Sequence, residues 1–209
     1  MSTGTGIDWF RKPVEGDAGT LNACFHALDR HVIRGLAESV AATLDGRDWT
    51  FADLLAEVGA FSGALRAFGV GLGDTVLVAP LPPLHEVVAS LAVARLGAVR
   101  AYAAASADAV ASVLEEARPR VAVLPTVLDV DLGEVPLITV DDSSELPWAT
   151  VMRAGRTDPA PCAEVPAPGV LAVLDGEPIS IVSALEGGSR VPTGATPIDV
   201  GGLTLWVQA

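Results

Sequence analysis

Four short apolar runs punctuate the middle of the chain: TVLVAP (75–80), VRAYAA (99–104), RVAVLP (120–125) and VPLITV (135–140). Runs of this length, bounded by Gly, Pro and Asp, read as buried strands. Helical spacing fills the gaps, from His85 to Leu96 and from the capping Ser106 to about Ala117. Strand and helix that alternate through short loops build a parallel sheet. Strands this apolar are buried on both faces. The expected fold class is therefore α/β, a mostly parallel sheet flanked by helices.

The flanking regions are less regular. Residues 1–20 are polar and Gly-containing and are expected to form an N-terminal arm. A helix is expected near 22–33 and a short one near 36–44. Thr50 caps a longer helix, with its hydroxyl accepting from first-turn amides. Leu54, Val58, Phe61, Leu65 and Phe68 give that helix one apolar face, and Gly69 ends it. After Thr157 the pattern changes to DPAPCAEVPAP, a Pro-rich linker over 158–168. GVLAVLDGEPISIV then reads as two strands around an Asp-Gly-Glu-Pro turn, with a helical turn near 183–186 and further short strands beyond it. The expected organisation is an arm (1–20), an α/β domain (21–157), a linker (158–168) and a short β-rich C-terminal extension (169–209).

Composition excludes several function classes. The 209 residues carry a net charge of −13 with 13 basic residues scattered along the chain, so no basic face is available for nucleic acid or an anionic membrane. Mean hydropathy is +0.45, yet the most apolar region, 87–113, is interrupted by Arg95 and Arg100 and reads as packed helices, with no membrane span. The N-terminus lacks the basic and apolar regions of a signal peptide. Two cysteines distant in sequence, Cys24 and Cys162, make no disulfide framework, and a reducing cytoplasm is the expected setting.

LNACFHALDRH (21–31) gathers Cys24, His26, Asp29 and His31, all metal-ligand types. On one helix Cys24, His26 and Asp29 point in different directions, whereas His26 and Arg30 share a face. Packing and helix-end hydrogen bonds are expected there, and no metal. His85 is expected to cap or to sit on the surface, lacking a nucleophile nearby. Asp141, Asp142 and Glu145 are expected to form a solvated helix N-terminus. Ser180 and Ser183 lack a nucleophile elbow. Trp9, Trp49, Trp148 and Trp206 are expected to be packing or interface residues, with Trp206 a contact anchor.

Several short motifs, taken in order, point to one family. They are Trp9-Phe10, Leu21-Asn22, Leu28-Asp29-Arg30-His31-Val32, Thr50-Phe51-Ala52-Asp53-Leu54, Gly69-Val70-Gly71-Leu72-Gly73-Asp74, Ala92-Val93-Ala94-Arg95-Leu96-Gly97-Ala98 and Ala117-Arg118-Pro119-Arg120-Val121. From about Ile7 to Val140 the chain resembles the N-terminal part of the acyl-adenylate-forming (AMP-binding) superfamily, especially acetyl- and propionyl-CoA synthetases. The resemblance implies the N-terminal subdomain of the adenylate-forming fold. It also implies ATP-dependent activation of a carboxylate as acyl-AMP and transfer to CoA. That chemistry needs a Gly/Ser/Thr-rich phosphate loop ending in Pro-Lys-Gly and a lysine to meet the developing charge.

The sequence departs from the pattern where that chemistry is carried. After the strand-like 168–174 comes Asp175-Gly176-Glu177-Pro178-Ile179, with carboxylates in place of Ser, Thr and Gly. Carboxylates repel a triphosphate. Lys12, in the arm, is the only lysine. The arginines that help the acetyl-CoA synthetases hold CoA have no counterpart in Thr126–Asp131, and the family's Phe-Gly-Gly-Phe-Ser is Tyr102-Ala103-Ala104-Ala105-Ser106. The expectation is a truncated pseudoenzyme without catalytic, cofactor or metal residues. It would serve as a binding, scaffolding or regulatory subunit, as a homo-oligomer or with a protein partner. The alternatives are one half of a split adenylating enzyme, or a binder of an acyl or nucleotide ligand in a relic pocket.

Overall fold

The computed structural model describes residues 6–188 and 190–208. The first five residues of the expected arm, with Ser189 and Ala209, lie outside the described residues.

The chain opens with two short strands, β1 (Trp9–Arg11) and β2 (Thr20–Leu21), paired antiparallel. A π-helical turn, Phe25–Asp29, runs into the short helix α1 (Arg30–Ile33). The short helix expected near 36–44 is instead the hairpin of β3 (Val40–Leu44) and β4 (Arg47–Thr50). The cause is Asp45-Gly46, whose φ values of 52° and 72° are those of a two-residue hairpin turn. Thr50 then caps α2 (Phe51–Ala67): its hydroxyl accepts from Asp53 N at 3.1 Å, and the Asp53 carboxylate accepts from Thr50 N at 3.3 Å.

From here strand and helix alternate as the sequence implies: β5 (Thr75–Val78), α3 (Pro83–Arg95), β6 (Val99–Tyr102), α4 (Ala107–Ala117), β7 (Val121–Leu124) and β8 (Leu137–Thr139). A short strand β9 (Leu146–Pro147) leads into α5 (Trp148–Gly155). Strand β10 (Val165–Pro166), inside the Pro-rich segment, pairs with β2. The hairpin of β11 (Val170–Leu174) and β12 (Glu177–Ser180) follows, then α6 (Ile181–Leu185) and a last hairpin, β13 (Ala195–Val200) with β14 (Leu203–Gln208).

One seven-stranded sheet organises the molecule, in the order β12-β11-β6-β5-β7-β8-β9, parallel throughout except for β12. Period-two alternation sends Val76, Val78, Val121 and Val123 to one face, where they join the core formed with α2, α3 and α5. Leu77, Ala122 and Leu124 point the other way, to Val110 of α4 and the loop around 128–135. Helix α3 is buried from Glu86 to Arg95, because α2 and β14 cover the sides that the sheet leaves open. The small antiparallel hairpins of the C-terminal part thus complete the α/β layer structure.

Candidate functional site

The 21–31 stretch forms a polar knot that splits into two halves. In the first, Asn22 donates its side-chain amide to Ala94 O, Arg95 O and Ala163 O at 3.2, 3.0 and 2.9 Å. Its Oδ1 accepts from Phe25 N, which starts the π-helical turn. Arg95 comes from the end of α3 and donates Nη1 to Asp29 at 2.8 and 3.1 Å and to Cys24 Sγ at 3.6 Å. Its Nε donates to Ala160 O at 2.7 Å. Burial opposes the charge on Arg95, but Cys24, Asp29 and Cys162 around it outweigh burial and raise its pKa.

In the second half, Arg30 donates to Asp8 at 2.8 Å, to His26 Nδ1 at 3.1 Å and to Gly201 O at 2.7 Å. His31 stacks on Phe51 with ring centroids 4.4 Å apart. Its Nε2 lies 3.1 Å from both Arg30 Nε and Gly201 O, so it can accept from one or donate to the other. Burial, reinforced by Arg30, pushes His26 down to about 4. Burial also lowers His31. The two histidines are therefore neutral partners of a structural arginine. His26 and Arg30 share a face as their spacing implies.

Geometry collects a different set of ligand-type side chains. Cys24, Asp29 and Cys162 present their sulfurs and a carboxylate oxygen within 4.8 Å of one another. Arg95 already places a cation 2.8 Å from that carboxylate, so a metal ion would meet like charge and an occupied ligand. Cys162 and Arg95 join this cluster through long-range packing. The one local signal was an arginine inside an otherwise apolar helix.

The remaining candidates stand apart. His85 is not a cap: half-buried in the first turn of α3, it packs edge-on against Trp148 at 4.9 Å, its Nδ1 buried without a hydrogen-bond partner among the described residues. Burial lowers its pKa. Asp141 and Asp142 precede β9, so the expected helix N-terminus does not exist there; Asp141 instead accepts from Ser143 N at 3.1 Å in a turn. Ser180 caps α6 by accepting from Ser183 N at 3.1 Å. Trp148 stacks on Phe61 at 4.1 Å, Trp49 lies under Arg47, and Trp206 covers the buried Arg100 at 5.0 Å. Arg100 in turn pairs with Glu86 and donates to Ser90 Oγ at 2.6 Å. Burial raises Glu86 and Arg100 partly offsets it.

A groove of about 710 Å³ runs between α4 and the β6–β11 half of the sheet. Tyr102, Ala103, Ala104, Ser112, Val173 and Asp175 line it among others. Its end is shaped by the β11–β12 turn, where Asp175 and Gly176 take φ values of 53° and 75°. The segment 175–179 is thus a tight hairpin turn and the start of an edge strand. Among the described residues, the groove's charged lining residues are Glu116 and Asp175, and no lysine or arginine lines it.

Residues 29–175 match the AMP-binding enzyme family, and the chain belongs to that family. The acetyl-coenzyme A synthetase of Burkholderia thailandensis is 33% identical over 148 residues, which is 68% of this chain and 19% of the relative. The chain thus spans about a fifth of the length of that relative. Among solved structures, the artificially fused adenylation–PCP di-domain NpsA-ThdA from Klebsiella oxytoca superposes with a TM-score of 0.66 at 20% identity, covering 84% of this chain and 33% of that one. The Brucella canis acyl-CoA synthetase does so with a TM-score of 0.61 at 18% identity, covering 79% and 34%. The structural likenesses carry the fold. The family match and the acetyl-CoA synthetase relative overturn the expectation of a pseudoenzyme, because they place the chain in a family of ligases. Among the described residues no helix is long and apolar enough to cross a membrane.

Proposed function

We propose that the chain takes part in ATP-dependent acyl activation as one subunit of a two-part ligase. It scaffolds the reaction, while a second chain brings the loop that grips the triphosphate and the lysine that meets the developing charge. The groove beside α4 carries this reading. It leaves one side of the sheet open next to the β11–β12 turn, and its charged groups are carboxylates. A triphosphate needs cations, so the cations come from the partner. The setting is a reducing cytoplasm, without nucleic acid.

Pyrophosphate exchange tests the proposal, with the partner taken as the chain that co-purifies from the native host. Exchange that needs both chains is expected. Exchange by the partner alone at the same rate, or none from the mixture, overturns it. A second reading uses the same groove for a small acyl or nucleotide ligand, since its volume falls in the roughly 300–1,000 Å³ range of small-molecule sites. Calorimetry against ATP, AMP, acetyl-CoA and longer acyl-CoAs tests that reading, and no heat with any of them removes it. A third occupant of the groove is a second copy of the chain; light scattering that reports a monomer rules it out.

A further inference from the structure

Cys24 and Cys162 are the chain's only cysteines, and the fold brings them side by side. Cys24 is fully buried just before the π-helical turn, and Cys162 is half-buried in the Pro-rich segment between α5 and β10. The two backbones are fixed against each other. Asn22 donates to Ala163 O at 2.9 Å, Ala163 N donates to Arg95 O at 2.8 Å, and Arg95 Nε holds Ala160 O at 2.7 Å. The sulfurs stand within 4.8 Å of one another, so forming a disulfide of about 2.05 Å requires the two side chains to turn toward each other.

The two thiols are not equivalent. Cys162 Sγ donates to Asp29 Oδ2 at 3.5 Å. The neighbouring Cys24 side chain and burial push the Cys162 thiol up. Cys24 Sγ instead accepts from the Arg95 guanidinium at 3.6 Å. The same guanidinium occupies Asp29 and disfavours a metal ion between the sulfurs. A dithiol with a fixed cation beside one sulfur and no room for a second cation is suited to sulfur–sulfur bond formation.

We propose that Cys24 and Cys162 are a modification site at which a hydroperoxide forms an intrachain disulfide. Cys162, the more accessible sulfur, gives up its proton to Asp29, which already accepts its hydrogen bond, as it attacks the peroxide; the O–O bond breaks, giving Cys162 sulfenic acid, and the departing oxygen takes that proton and leaves as water or an alcohol. Cys24 then attacks the Cys162 sulfur, and the hydroxyl leaves as water with the Cys24 proton. Two thiols lose two electrons and two protons in all, and the peroxide takes them up. The bond ties the turn after β2 to the Pro-rich segment before β10. A dithiol reductant restores both thiols by exchange.

The test treats the full chain with hydrogen peroxide, denatures it, alkylates it with iodoacetamide and measures its intact mass and peptides. The expected product is about 2 Da lighter than the reduced chain, takes up no alkyl group and yields one linked peptide pair containing both cysteines. It runs as a monomer on a non-reducing gel, and dithiothreitol restores two alkylation sites. Cys24→Ser and Cys162→Ser each abolish the link, while the peptide map of the unmodified chain decides the matter even if a variant folds poorly. Two free thiols after peroxide, separate sulfinic acids on the two cysteines, or a disulfide between chains would each overturn the proposal.

Discussion

Asp29 Oδ2 lies 2.8 Å from Arg95 Nη1, and the pair joins the helical turn of the Leu-Asp-Arg-His-Val motif to the end of α3 with both side chains largely buried. Their positions are far apart in the chain, yet both fall within the stretch, 29–175, that matches the AMP-binding enzyme family. The contact is a structural joint between the 25–33 helical turns and α3. Asp29→Asn keeps the shape and removes the charge that Arg95 faces. A buried pair broken on one side costs about 3–5 kcal/mol. Urea unfolding of the variant should show a loss in that range. A change below ~1 kcal/mol would mean that Ala160 O and Cys24 satisfy Arg95 without Asp29.

Arg30 carries the second half of the same motif across to the C-terminal hairpin, at Gly201 O. Gly201 sits at a φ of 58°, and a Cβ there would collide with the carbonyl of Ala27. Gly201→Ala must therefore move the β13–β14 turn away from the π-helical turn Phe25–Asp29. Strain at a left-handed position costs about 1–3 kcal/mol, and the collision adds to it. Hydrogen exchange should show β14 amides losing protection first. Uniform loss over the whole chain would refute a displacement confined to this turn.

Acid should weaken the same joint. His26 is held near 4 when folded and titrates near its ordinary 6.5 when unfolded, so the unfolded chain takes the proton first. The stability that a neutral His26 gives is complete above 6.5. It is lost as pH falls toward 4, and the loss levels off below that value. The unfolding midpoint should fall over this window. His26→Gln, which cannot be protonated there, should flatten the slope by close to one proton. An unchanged slope would assign the acid sensitivity to His31 and His85, which burial also lowers.

The parts of this fold that were legible in the sequence are those fixed by neighbours in the chain. Thr50 and Asp53 announce the start of α2, and the runs at 75–80, 99–104, 120–125 and 135–140 announce the parallel strands. Asp45-Gly46 was an equally local signal, but the alanines before it suggested a helix and hid the hairpin. Helix α5 was missed, although Trp148, Val151, Met152 and Gly155 form its buried face and recur at helical spacing. The polar knot was not legible. Its key partners, Arg95 with Asp29, Arg30 with Gly201 and Cys24 with Cys162, are distant in sequence and meet only through the tertiary fold. Nothing in the spacing of 21–31 says which side chain faces which element.

The α2–α5 contact makes a last, sharp prediction. Gly63 and Gly155 face each other's helices with no room to spare: a Cβ on Gly155 would strike the carbonyl of Ala60, and one on Gly63 would strike the carbonyl of Asp158. Backbone, unlike a flexible side chain, cannot turn aside. Gly155→Ala must push α5 off α2 and loosen Trp148 from Phe61, whose rings stack at 4.1 Å. In an exposed helix the same change would stabilise by about 0.5–1 kcal/mol through propensity. Here overpacking of about 1–3 kcal/mol or more opposes it and wins. Thermal unfolding should show a lower midpoint, together with a change in the near-ultraviolet signal of the tryptophans. A raised midpoint would show that the two helices tolerate the extra methyl and are not closely packed at this point.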